Sequence, residues 1–144
     1  MYQKNRAWIE INMQHLRNNV RQFRKLLPPD CELMPAVKAN AYGHGAIPVS
    51  KTLQSMGVKN YCVASVEEGI ELREAGVKGQ ILILGCTHPR LFPELDRYEL
   101  TQTVSDEKYA RVLNQYGRKI YVHIAIDTGM HRLGERSADV DKIC

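Results

Sequence analysis

No stretch of this sequence approaches the roughly 18 consecutive apolar residues that a bilayer-spanning helix needs. The opening residues 1–6 are polar and lack the apolar centre of a secretion signal. Aromatic residues are sparse, with one Trp and two Phe scattered along the chain, and no run of Lys or Arg is dense enough for a nucleic-acid patch. The formal net charge of +4 therefore argues for solubility and little else. The four cysteines, Cys31, Cys62, Cys86 and Cys144, form no C-x-x-C pair and no cluster with metal-ligand spacing. They read as reduced thiols of a cytoplasmic protein, Cys62 and Cys86 serving as small hydrophobes within strand-like runs. These absences lead us to expect no metal, no nucleic acid and no membrane segment within this chain. What remains is 144 residues, 44% hydrophobic and 25% charged, the balance of a packed globular domain.

Short aliphatic or β-branched runs at 33–39, 61–65, 81–86, 100–105 and 119–127 alternate with segments of helical periodicity. Asn12 is a good N-cap for a first helix, which carries Leu16, Val20, Phe23 and Leu27 on one face and is stopped by Pro28 and Pro29. A second helix is expected over 44–56, with Pro48 in its first turn and Gly57 after its end. Ser65 and Glu68 form a capping box for a third, in which the Glu68 carboxylate should reach back to the cap, and Gly76 ends it. Ser105 opens another, closed by Gly117, and Ser137 opens one more. Strand then helix, repeated about every 20–27 residues, implies right-handed βαβ units and a parallel sheet. An open doubly wound sheet and a (β/α)8 barrel both satisfy this rhythm. No G-x-G-x-x-G follows the first strand, which weighs against a dinucleotide-binding sheet. The expectation is an α/β fold, a partial (β/α)8 TIM barrel of about five parallel strands with intervening helices. Residues 7–12 read as an alternating strand outside that rhythm, so 1–12 form a separate β segment and 13–144 the barrel part.

Two segments could carry chemistry. The first, P-A-V-K-A-N-A-Y-G-H-G over 35–45, ends an apolar strand in a lysine and then a polar, glycine-rich turn. In parallel α/β proteins the loops at strand C-terminal ends hold the reactive groups. Lys38 shares a strand face with Met34 and Ala36. Were that face the barrel interior, desolvation would favour the neutral amine that a Schiff base requires. By position alone it could equally be a surface lysine. Pro35 is anomalous there, because a central strand cannot spare an N–H.

The second segment, D-T-G-M-H-R-L-G over 127–134, follows a strand with two distinct faces. Ile120, Val122, Ile124 and Ile126 should meet the helices, and Tyr121, His123, Ala125 and Asp127 should point inward. Arg132 lies just past that strand, either as a salt-bridged loop arginine or as a site residue. His123 reads more simply as a satisfied interior histidine than as a catalytic one.

Together these motifs resemble the alanine racemase family. The segment over 35–45 is similar to its pyridoxal 5'-phosphate attachment motif, and that over 127–134 to its glycine-and-arginine loop. The likeness runs from A-W-I-E-I-N through I-L-I-L-G at Gly85 to the chain end. The wording M-H-R-L-G-E also resembles the racemase domains of vancomycin-resistance serine racemases.

The resemblance implies that Lys38 bears the cofactor in a Schiff base and acts as the base on one face of the substrate α-carbon. Tyr42 would hold the cofactor phosphate, Leu84 would line the pocket, and Arg132 would donate to the phenolic oxygen. It further implies interconversion of L- and D-alanine, supply of D-alanine for peptidoglycan, and a cytoplasmic homodimer. Serine racemisation and a non-catalytic pyridoxal-phosphate-binding barrel are the alternatives. Many family members have a lysine where this sequence has Ala125, so Arg132 needs another partner. The family's C-terminal β domain, source of the opposite-face tyrosine, has no counterpart in these residues, and the fragment alone is expected to be inactive.

Overall fold

A computed structural model of the chain describes residues 8–136. Its elements run α1 (Met13–Leu26), α2 (Lys38–Tyr42), α3 (Ala46–Ser55), β1 (Asn60–Val63), α4 (Val66–Glu74), β2 (Gln80–Ile83), a 3-10 turn (Pro89–Leu91), α5 (Phe92–Arg97), β3 (Thr101–Val104), α6 (Glu107–Asn114), β4 (Val122–Ile124), β5 (Ile126–Asp127) and β6 (Glu135–Arg136). Most boundaries follow from local chemistry. Asn12 caps α1 by accepting from the Gln14 and His15 N–H groups, and Ser65 caps α4 by accepting from the Glu68 N–H. The helix expected to open at Ser105 differs by one position: Asp106, not Ser105, accepts from the Tyr109 N–H at the start of α6. Ser105 instead donates its hydroxyl to Asp106.

β1, β2, β3 and β4 form one parallel sheet in sequential order. That order decides between the two architectures left open by the sequence. A doubly wound sheet reverses its strand order at a switch point, whereas successive right-handed crossovers without reversal leave every helix on one face. Tyr61, Val63, Ile81, Ile83 and Val104 join the helical residues Val49, Leu53, Val66, Leu72, Phe92 and Leu95 in one buried core. The alternate strand residues Cys62, Leu82 and Thr101 are buried but outside that cluster, on the other face. The fold is an arc of a (β/α)8 barrel.

Four expectations require correction. The run 33–39 is not a full strand: Ala36 makes an isolated parallel bridge with Cys62, with the Cys62 N–H donating to Pro35 O (2.9 Å) and the Val37 N–H to Cys62 O (2.8 Å). Extending that ladder backwards would require an N–H from Pro35, which has none, so the pairing stops there. The run 119–127 is likewise broken. β4 ends at Ile124, and after Ala125 the chain enters β5, which pairs with β6 in a separate two-stranded sheet. The second helix starts at Ala46 rather than residue 44, placing Pro48 within its first turn. Residues 8–12 enter no strand. Residues 1–7, the start at Ser137 and Cys144 lie outside the described residues.

Candidate active site

The parallel strands finish at one end, where Lys38 is found. It stands not on a strand, as its apolar approach suggested, but at the head of α2, which is wound left-handed. Ala39, Asn40, Ala41 and Tyr42 have φ of 50°, 54°, 52° and 55°. For L-residues this hand costs about 1–2 kcal/mol per residue, since Cβ crowds the following carbonyl. Four in succession require support, and the support is visible. The Asn40 side chain accepts from the Ala46 N–H (2.7 Å), fastening the turn to the start of α3. The Gly43 and Gly45 N–H groups return to Asn40 O (3.1 and 2.9 Å), and both glycines adopt positive φ that favours glycine. Glu68 contributes from another element: the Ala39 N–H donates to its Oε1 and the Ala64 N–H to its Oε2, each at 2.7 Å. The capping-box carboxylate thus reaches past the cap residue itself.

The strand face away from the helices carries the rest of the site. Cys62 lies on it, and burial raises its thiol pKa while the nearby Lys38 charge pulls the other way. The bridge between Ala36 and Cys62 sets Lys38, two residues further on, beside the end of β1. Leu84 continues the ladder past β2, its N–H donating to Val63 O (2.9 Å), so Lys38 and Leu84 flank the same strand end. Thr103 pairs in register with His123, and stepping once beyond Ile83–Gln102 sets it beside Leu84. The Thr103 hydroxyl oxygen is buried and has no hydrogen-bond partner. His123 meets the Gln80 amide at 3.0 Å, which satisfies one ring nitrogen, but the residue is exposed and not the interior histidine the sequence suggested.

Arg132 sits in the β5–β6 loop at the same end of the array, exposed. Asp127 organises that loop. It accepts from the His131 N–H (2.9 Å), the Gly129 N–H (3.0 Å) and the His131 ring (2.8 Å). Those donors hold its carboxyl below the usual range. His131, with φ of 54°, turns the chain immediately before Arg132. Tyr42 closes the left-handed turn, its ring 61% exposed. Lys38 and Leu84 are therefore brought together, Tyr42 belongs to the lysine's own turn, and no hydrogen bond or ion pair joins Arg132 to any of them. Among the described residues the side chains of Lys38, Tyr42 and Arg132 have no hydrogen-bond or ion-pair partner. Unpaired cationic and hydroxyl donors at strand C-terminal ends can receive an anionic ligand, and the amine can attack a carbonyl.

Sequence reasoning missed Asp127 as the loop's organiser, although an Asp before T-G-x-x signals such a turn. It also missed Thr103 and the reach of Glu68. Among the described residues no group of His, Cys, Asp and Glu could hold a metal ion.

Comparison with known proteins gives a consistent result. The family profile described as "Alanine racemase, N-terminal domain" matches residues 11–144. An amino-acid racemase of Enterococcus faecalis is 49% identical over 138 residues, covering 96% of this chain and 19% of that protein. A serine/alanine racemase of Enterococcus gallinarum is 43% identical over 129 residues, covering 90% of this chain and 18% of its own length. The solved alanine racemase of Clostridium difficile 630 in complex with cycloserine superposes with a TM-score of 0.89 at 37% identity, over 97% of this chain and 40% of that one. The chain thus spans between about a fifth and two fifths of the length of these relatives.

Proposed function

Because the chain belongs to the family of the alanine racemase N-terminal domain, we propose that it forms the lysine side of a pyridoxal-phosphate-dependent amino-acid racemase. The observation that carries this reading is the unpaired amine of Lys38, held at the strand ends by a strained left-handed turn. Strain of this kind persists where the surroundings over-determine it, and it concentrates at functional sites.

The donor set fits the cofactor. Lys38 offers a primary amine for the aldehyde, and Tyr42 and Arg132 offer uncommitted donors for its phosphate and phenolic oxygen. Leu84 supplies an apolar wall, and the unpartnered Thr103 hydroxyl leaves a polar contact open. When bound, pyridoxal phosphate supplies an electron sink that acidifies the substrate α-proton. Lys38 Nζ then carries that proton to and from one face of the α-carbon. Ala125, one residue past β4, offers Arg132 no amine to steady its charge.

Alanine is the substrate in this reading, with D-alanine for peptidoglycan as the product, and the active protein is a cytoplasmic homodimer. Among the described residues no helix is long and apolar enough to cross a membrane. Residues 13–144 would be the barrel part, with residues 1–12 a segment apart from it. These residues alone are expected to capture the cofactor weakly and not to racemise. Serine is the second substrate reading, favoured by the M-H-R-L-G-E segment and the Enterococcus gallinarum relative.

The test is borohydride reduction of the chain with pyridoxal phosphate, followed by peptide mapping. Label on the peptide containing Lys38, and its loss in Lys38→Ala, is the expected result. Label spread evenly over the surface lysines overturns the assignment.

A further inference from the structure

We propose that Glu68 is a positioning residue for Lys38. This rests on the functional reading above only in what the amine is for; the geometry stands without it. The peptide joining Lys38 to Ala39 presents its N–H to Glu68 Oε1 at 2.7 Å, so the carboxylate fixes the plane through which the Lys38 Cα leaves the turn. Its other oxygen takes the Ala64 N–H at 2.7 Å, one residue past β1. A single side chain thereby ties the backbone after the lysine to the end of the neighbouring strand. The remaining side-chain hydrogen bonds to the turn, from Asn40 to Ala46 and from His44 to Ala41, are local. Glu68 is thus the one side chain that hydrogen-bonds to this turn from another element, among the described residues. It is itself well held. It lies in the first turn of α4, where the helix dipole favours an anion, and its own N–H is capped by Ser65. A half-buried carboxylate with two backbone donors is a rigid strut, and rigidity is what a turn of four left-handed residues needs.

Glu68→Gln tests the idea, because the shape is kept while one acceptor becomes a donor facing an N–H. Amide hydrogen exchange should accelerate roughly ten-fold at whichever of Ala39 and Ala64 loses its acceptor, the size of one lost charge-assisted hydrogen bond, and less at the other, which keeps a neutral carbonyl. Exchange at Ile81 and Ile83 should not change. Competitive acylation with acetic anhydride across pH should alter the rate and pH profile of Lys38 alone, leaving Lys51 and Lys59 as in the native chain. Unchanged exchange at Ala39 and Ala64 overturns the proposal. So does faster exchange there with an unaltered Lys38 profile, which would make Glu68 a structural anchor only. If Glu68→Gln unfolds, Glu68→Asp, one methylene too short to span both amides, is judged by the same two criteria. Neither readout uses the cofactor, so a failed borohydride label counts against the racemase reading and leaves this test intact.

Discussion

The two ends of the sheet treat their cations in opposite ways. At the end where the strands begin, Arg73 is saturated. Its guanidinium donates to the carbonyls of Tyr98 (2.9 Å), Val77 (3.0 Å), Gly79 (2.7 Å) and Glu99 (3.0 Å), which lead into β2 and β3. Burial lowers its pKa, yet carbonyl dipoles meet it on every side. At the end where the strands finish, Lys38 and Arg132 have no such partners, and the backbone beside the lysine is strained. In a parallel barrel the first end holds the fold together and the second does the chemistry. A cation that maintains structure is fully bonded, and one kept for a ligand is left with donors to spare.

That contrast can be broken at either end. The largest effect should come from Arg73→Ala, which strips four carbonyls, two of them bonded in part-buried surroundings, of a shared charged donor and should cost about 2 kcal/mol. Urea denaturation checks it through a lower midpoint. A loss below about 0.5 kcal/mol, the level of an ordinary surface change, would mean the carbonyls are satisfied without it.

Ala39→Gly should act with the opposite sign. Removing one Cβ from the left-handed turn should raise stability by ~1 kcal/mol, less the entropy that glycine restores to the unfolded chain. A decrease in the denaturation midpoint would show that the turn is not strained at this residue.

The smallest effect concerns the Arg132 loop. The Asp127 carboxyl is held below its unfolded value by the His131 and Gly129 N–H groups. The order it confers is therefore complete above the unfolded carboxylate range, about pH 4, and is lost as pH falls through the lower folded value. Amide exchange at Gly129 and His131 should stay protected from neutral pH down to about 4 and open in stronger acid. Opening nearer neutrality would assign the loop's order to another group.

Much of the scaffold was legible in the sequence. The caps at Asn12 and Ser65 and the terminating glycines Gly57, Gly76 and Gly117, all at positive φ, speak through side chains a few residues away. The helix α5 was not read, because Pro89 and Pro93 mask it, although each occupies a first turn where proline is tolerated. The site was legible as a list of residues and much less so as a shape. K-A-N-A-Y contains two alanines, the best of helix formers, and nothing local predicts that they wind to the left. Part of its support comes from outside, from the Glu68 carboxylate 29 residues away. Pro35 was recognised as discordant, and the structure shows why: the ladder ends where its missing N–H would have been needed. The break at Ala125 has no comparable signal in the composition of 119–127.

The central claim is that the unpaired amine held at the strand ends by the left-handed turn is the one that reacts. It is tested most directly by treating the chain with less than one equivalent of pyridoxal phosphate, reducing with borohydride, and comparing label at Lys38 with label at Lys78, which lies beside the Arg73 carbonyls. A strong preference for Lys38 is the predicted result. Equal labelling of the two lysines, or a preference for Lys78, would contradict it.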